Sequence, residues 1–237
     1  MTPGIVLDIE TRMDPLALAA SGRRAAPRDL PAPLQFVTAL AILAYERDDA
    51  GRFHNFKLAG HQTPKGGEAS VVSSAERDLA RVHASGGELV TFNGNHDLGI
   101  LRFACLRHRA FVGGGARRWL EEPDGRHHDV MLELGRDGRW PSLNDVAAGL
   151  GFAAGNLARA VHSPAIERDK AEIDVVRTML LHIHLEAERR NEPQLLIAGA
   201  LALGRFVAGR VRSAPHLSSF LDTPFYASAS RTLVPGQ

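Results

Sequence analysis

The sequence predicts an α/β domain, on three observations. The chain opens on an apolar, β-branched run, Ile5-Val6-Leu7-Asp8-Ile9-Glu10-Thr11. Two further strand-like stretches follow, joined by a tight polar turn. After them, helical and extended periodicities alternate, the succession expected of a sheet flanked by helices.

Side chains at i and i+2 of the first strand share a face, so Asp8 and Glu10 project together while Leu7 and Ile9 enter the opposite, packed side. Asp14 to Pro33, rich in Ala, Arg and Pro, reads as a loop or short helix. Strands over Phe36 to Tyr45 and His54 to Gly60, turned by Asp48-Asp49-Ala50-Gly51, make strands one to three an antiparallel meander. Ser73 to Ala84 reads as a helix capped by Ser74, with Arg77 and Arg81 outward. Leu89-Val90-Thr91-Phe92 is a short strand pairing in parallel, broken by Asn93-Gly94 and followed by a helix that begins near Asp97. Gly113-Gly114-Gly115 lacks the Lys-Ser/Thr of a phosphate loop and reads as a flexible turn. Ser163-Pro164 reads as a loop. From Asp169 onward, Ile173, Val176, Leu180, Ile183 and Ala187 follow the i, i+3, i+4, i+7 rule of a packed helix. A last helix runs from Leu195 to about Val211, before a Pro- and Ser-rich tail.

With 237 residues, 44% hydrophobic and 23% charged, the chain has the size and composition of one soluble α/β unit with insertions. A net charge of +1 gives no global pull towards nucleic acid. Locally, Arg102, Arg107, His108, Arg109, Arg117, Arg118, Arg126, His127 and His128 gather positive charge, either as a solvated face or as a track for a phosphate backbone. The single cysteine, Cys105, rules out an internal disulfide and sits in an apolar helical segment. The amino terminus enters a strand without a secretion-type segment, and the apolar run Leu195 to Leu203 is too short for a bilayer. A cytoplasmic protein with no membrane partner is expected.

The acids carry the functional signal. Asp8 and Glu10 on one strand face repel each other, and a divalent cation held by hard oxygen ligands is the usual compensation. The alternative is a strand end with two solvated acids. Asp97 adds a third carboxylate at a strand-to-helix junction. Asp174 adds a fourth beside an apolar helical seam, where an acid costs stability unless something pairs with it.

The order D-I-E-T, then F-N-G-x-x-D, then a late helical Asp resembles the DEDD superfamily of 3′–5′ exonucleases. More narrowly, the chain is similar to the predicted exonucleases related to the proofreading domain of B-family DNA polymerases. His128-Asp129-Val130-Met131, Ser142 to Gly151 and Glu172-Ile173-Asp174-Val175-Val176 extend the likeness, which runs from about residue 5 to about residue 190. The resemblance implies a ribonuclease H-like (DnaQ-like exonuclease) fold over residues 1–194, a mixed five-stranded sheet flanked by helices, with residues 195–237 as a helical extension. That extension is left open between covering a sheet edge, forming a homodimer and lengthening a substrate groove.

The resemblance also implies that Asp8, Glu10, Asp97 and Asp174 hold two Mg²⁺ or Mn²⁺ ions, with Asp8 shared, for phosphodiester hydrolysis by a two-metal mechanism. It implies the 3′ end of single-stranded DNA or RNA as substrate, with Thr11, Phe92, Asn93 and Asp129 around it, Asp129 in either a structural or a substrate-orienting role, and a polymerase or repair partner. One departure bears on catalysis. Members of the family carry a Tyr four residues, or a His five residues, before the last Asp; here Lys170 and Asp169 stand there. Lys170 lies one helical turn before Asp174 and is placed to bridge to it or to a phosphate. An active exonuclease and a weakened or inactive nucleic-acid-binding or polymerase-associated subunit therefore both remain open. His162 is a candidate to reach the site in place of the missing group. His182 and His184, two apart on a helix, read as one packed and one surface residue.

Overall fold

The computed structural model describes residues 1–23, 31–63, 67–111, 113–121, 125–135, 139–152 and 163–232. His162 lies outside them. Strands β1 (Thr2–Met13), β2 (Gln35–Arg47) and β3 (Phe53–Gln62) form the expected meander, and β4 (Glu88–Thr91) and β5 (His127–Asp129) complete an open mixed sheet in the order β3-β2-β1-β4-β5. β1 runs antiparallel to β2 and parallel to β4, which in turn pairs in parallel with β5. Opposite β1, a register shift between Glu10 and Thr11 leaves Thr38 as the extra residue, and the Thr38 hydroxyl donates to the Glu10 carbonyl at 3.1 Å. Such bulges bend a strand and re-aim its side chains.

Alternation along β1 sorts the two cores. Ile5, Leu7 and Ile9 enter a layer built with α2 (Glu68–Ala84), α3 (Gly94–His108) and α4 (Gly115–Glu121). Val6 enters the opposite layer, with α7 (Pro164–Arg190) and α8 (Pro193–Arg210). The helices not yet placed are α1 (Pro15–Ser21), α5 (Val130–Leu134), α6 (Leu143–Gly149), α9 (Ser218–Leu221) and α10 (Pro224–Thr232). Asp8 and Glu10 share the parity of Val6 and so face the α7 side. All five seam residues predicted on α7 are buried.

Four boundaries depart from the sequence reading. α2 starts at Glu68 with Gly67 as its N-cap, so Ser74 lies inside the helix and caps nothing. α3 starts at Gly94 rather than near Asp97, because Asn93 adopts a left-handed conformation (φ 71°) that turns the strand directly into the helix. Ser163-Pro164 is a helix start, not a loop: the Ser163 hydroxyl accepts from the Ile166 amide, and Pro164 takes the first turn, where its missing N–H costs nothing. The tail beyond Val211 folds as a 3-10 turn, α9 and α10, because Leu217 and Phe220 find buried places in the α7–α8 core. The expected division at 194/195 falls within α8, whose Leu203 and Val207 share that core with β3 and α7. Among the described residues no helix is long and apolar enough to cross a membrane.

The basic stretch is largely tied inward. Arg107 pairs with Asp14 at 3.3 Å and donates to the Gln35 carbonyl, His108 meets Glu68 at 2.6 Å, and Arg102 pairs with Glu121 at 3.0 Å. Arg126 donates to the His83 and Gly87 carbonyls and lies over the Trp119 ring. The helix start after the glycine turn is likewise met from within. Gly113 and Gly114 have positive φ, and Glu76 accepts from the Gly115 and Ala116 amides, filling the start of α4 internally.

His182 is fully buried against the rings of Tyr45, Phe53 and His128, with neither ring nitrogen hydrogen-bonded. Burial, then the nearby His128, Arg189 and Arg47 charges, holds its pKa well below 6.5. Below pH 6.5 the unfolded chain therefore binds a proton that the folded one refuses, so stability falls with acid. The expected loss attributable to this residue is about 1.4 kcal/mol per pH unit. Urea unfolding of His182→Leu should show a shallower decline between pH 6.5 and 5 than the parent. Parallel declines would assign the acid sensitivity elsewhere.

Candidate metal centre

The parallel pairing of β1 with β4 ends at Leu7 and Thr91, and α7 packs across both strands there; the carboxyl end of a parallel strand is a common position for ligand sites in α/β sheets. Just past that pair Asp8 and Glu10 project from β1, and Asp174 meets them from α7. Each of these three offers one carboxylate oxygen, and the three atoms lie within 4.8 Å of one another. The Oδ2 atom of Asp8 is buried with no hydrogen-bond partner. A buried carboxylate oxygen left bare is costly, and a hard cation is the ligand that would satisfy it.

The electrostatics agree. Burial raises the Asp8 pKa well above 3.8, and Asp174 and Asp97 push it further. Burial also raises Glu10, partly offset by Lys170. Asp97, buried at the first turn of α3, is raised by burial, then by Glu10 and Asp129. Asp97 thus feels the cluster but stands outside the group of three with mutual ligating reach.

Lys170 sits at the centre of the arrangement. Its ammonium donates to Glu10 Oε1 and, at 2.9 Å, to Asp174 Oδ2. Burial opposes its charge, but Asp174, Asp8 and Glu10 outweigh that and raise its pKa above the ordinary lysine value of 10.5. Held as a cation it has no lone pair to accept a proton.

Sequence reading missed Arg177. One turn after Asp174 on α7, this buried guanidinium donates to Asp174 Oδ1 at 3.1 Å and to Asn144 Oδ1 at 2.9 Å, tying α6 to the site. The i, i+3 spacing from Asp174 was the available signal. A second missed pair, Arg12 with Glu167 at 2.7 Å, joins the far end of β1 to the start of α7.

The residues expected around a substrate are placed as follows. Thr11 donates to Gln35 Oε1 at 2.6 Å. Phe92, half-buried, packs against the α7-side core just past β4. Asp129 accepts from the Asn93 amide at 3.0 Å and the Gly94 amide at 2.7 Å, and caps α5 through the Leu132 amide at 3.4 Å. Asp129 therefore fixes the β4–α3 turn that presents Asp97. Gly94 is required there, since a Cβ would collide with Thr91 Oγ1 and His127 Nε2. Gly94→Ala should lower the melting temperature by roughly 3–10 °C, an overpacking cost of about 1–3 kcal/mol. An unchanged melting temperature would show that the turn has slack.

No protein-family model matches the chain, and no curated protein matches it.

Proposed function

We propose that the protein is a metal-dependent 3′–5′ exonuclease of ribonuclease H-like fold that hydrolyses the terminal phosphodiester of single-stranded nucleic acid. The observation that carries this reading is the convergence of Asp8, Glu10 and Asp174, from opposite ends of the chain, around a bare buried carboxylate oxygen. The antiparallel meander extended by two parallel strands and the motif order that resembles the DEDD exonucleases support it as well.

Asp8, Glu10 and Asp174 would hold Mg²⁺ or Mn²⁺, with Asp97 adding charge from the α3 side. A bound ion supplies Lewis-acid stabilisation of the charge that develops on a phosphodiester during in-line displacement. Arg177 and Asn144 fix the orientation of Asp174, and Lys170 fixes Glu10 against it. Phe92 and Asn93, just past the end of β4, are the residues that the resemblance would set beside a terminal nucleotide. With Lys170 and Asp169 where the resembled enzymes carry Tyr or His, loss of that base assistance is expected to cost rate on the order of 10²–10⁴-fold without removing the metal's share.

A second reading rests on that same cationic Lys170: a nuclease fold that binds single strands and cuts slowly or not at all. One assay separates the two. Single-stranded DNA and RNA, labelled at either end, are incubated with Mg²⁺, Mn²⁺ or chelator. The exonuclease reading predicts stepwise shortening from the 3′ end that requires metal and is lost in Asp8→Asn. Retarded but intact strands would favour binding alone. Cleavage that persists in chelator would contradict the metal centre.

A further inference from the structure

We propose that Lys170 is the resident second cation of this centre, so that the acids take one divalent ion where the resembled exonucleases take two. The inference rests on the metal reading above and concerns only how many ions the site accepts.

The argument is one of which oxygens remain available. Asp174 has both oxygens engaged by charged donors, Oδ1 by Arg177 and Oδ2 by Lys170. Glu10 has Oε1 engaged by the same ammonium. Asp8 alone among the three presents a buried oxygen with no donor. Lys170 therefore spans the Glu10–Asp174 side of the cluster, and a single exogenous ion enters at Asp8 Oδ2, sharing Glu10 and Asp174 through the lone pairs the donors leave free. Charge balance gives the same count. Asp8, Glu10, Asp97 and Asp174 bring four negative charges when ionised, Lys170 and Arg177 return two, and one divalent ion neutralises the remainder. The neighbouring acids keep to their own partners: Asp129 is met by backbone amides and Glu167 by Arg12. A second divalent ion on the Glu10–Asp174 side would have to displace the ammonium and sit against like charge.

The lysine is suited to this place. Its flexible stem delivers a compact point charge to two carboxylates on different elements, whereas a planar guanidinium would favour one carboxylate at a time. Its side chain is about half exposed, so replacing it leaves the core intact.

Calorimetric titration with Mn²⁺ alone, without nucleic acid, counts the ions directly. One ion is expected for the parent and for Lys170→Arg. Lys170→Met, which keeps the stem and removes the charge, is expected to bind two ions, the first tighter by at least about tenfold because a neighbouring like charge is gone. Asp8→Asn is expected to bind none. Two ions in the parent overturn the inference while leaving the metal reading intact, and that count holds whatever happens to the variants. A Lys170→Met protein that stays at one ion overturns it in the same way. No ion on any of the four proteins overturns the metal reading itself.

Discussion

Asp8→Asn is expected to melt higher than the parent protein in chelator and to lose all response to Mn²⁺. The sign follows from the raised pKa. A carboxyl that titrates above its ordinary 3.8 binds a proton more readily folded than unfolded, so stability falls as pH rises through the folded pKa. At neutral pH, with no metal, the Asp8 charge is therefore a net cost. An amide keeps the shape and removes the charge, which should stabilise by about 0.5–2 kcal/mol, or roughly 1–8 °C for a chain of this size. With metal the order reverses. The parent gains about 2.7 kcal/mol at an ion concentration a hundred times its Kd, while the variant gains nothing. Activity should fall by at least about 100-fold. Thermal unfolding at neutral pH with chelator and with a Mn²⁺ series measures both halves. A variant less stable than the parent in chelator would mean that Asp8 has a protein partner.

The second large effect is expected at Asp129. Its two oxygens accept from the Asn93 and Gly94 amides, the latter buried, and Asp129→Ala leaves those donors unmet at the start of α3. Each unsatisfied donor costs about 1–3 kcal/mol, so a loss of about 3 kcal/mol and a melting temperature lower by roughly 6–12 °C are expected. Asp129→Asn, which keeps one acceptor oxygen, should lose about half as much. Because Asp97 follows on the first turn of α3, the turnover expected of the proposed nuclease should fall together with stability. If Asp129 serves only to touch substrate, the melting temperature will stay in place and KM alone will rise.

These two residues show what the sequence made legible. Period-two alternation put Asp8 and Glu10 on one face and Leu7 and Ile9 on the other, and β1 is built that way. The α7 seam was equally readable, because a long helix packed on one side repeats its apolar positions several times. β5 was harder: three residues, His127–Asp129, are too few for any period to emerge. For Asp129 the sequence offered a structural or a substrate-orienting role without deciding between them, since its partners are backbone amides that carry no side-chain signature. Lys170 was visible as a departure from a motif and as an i, i+4 neighbour of Asp174. Its reach across to Glu10, 160 positions away, is a tertiary contact that no local pattern encodes. The C-terminal helices were missed because Pro- and Ser-rich composition argues for irregular chain, while burial of Leu217 and Phe220 outweighs that local preference.

The most direct measurement is anomalous diffraction at the manganese edge from crystals grown with Mn²⁺. The account predicts a peak within ligating distance of Asp8 Oδ2, between β1 and α7, that vanishes in Asp8→Asn. Crystals with Mn²⁺ bound elsewhere, or with the Asp8 oxygen satisfied by a protein donor, would contradict it.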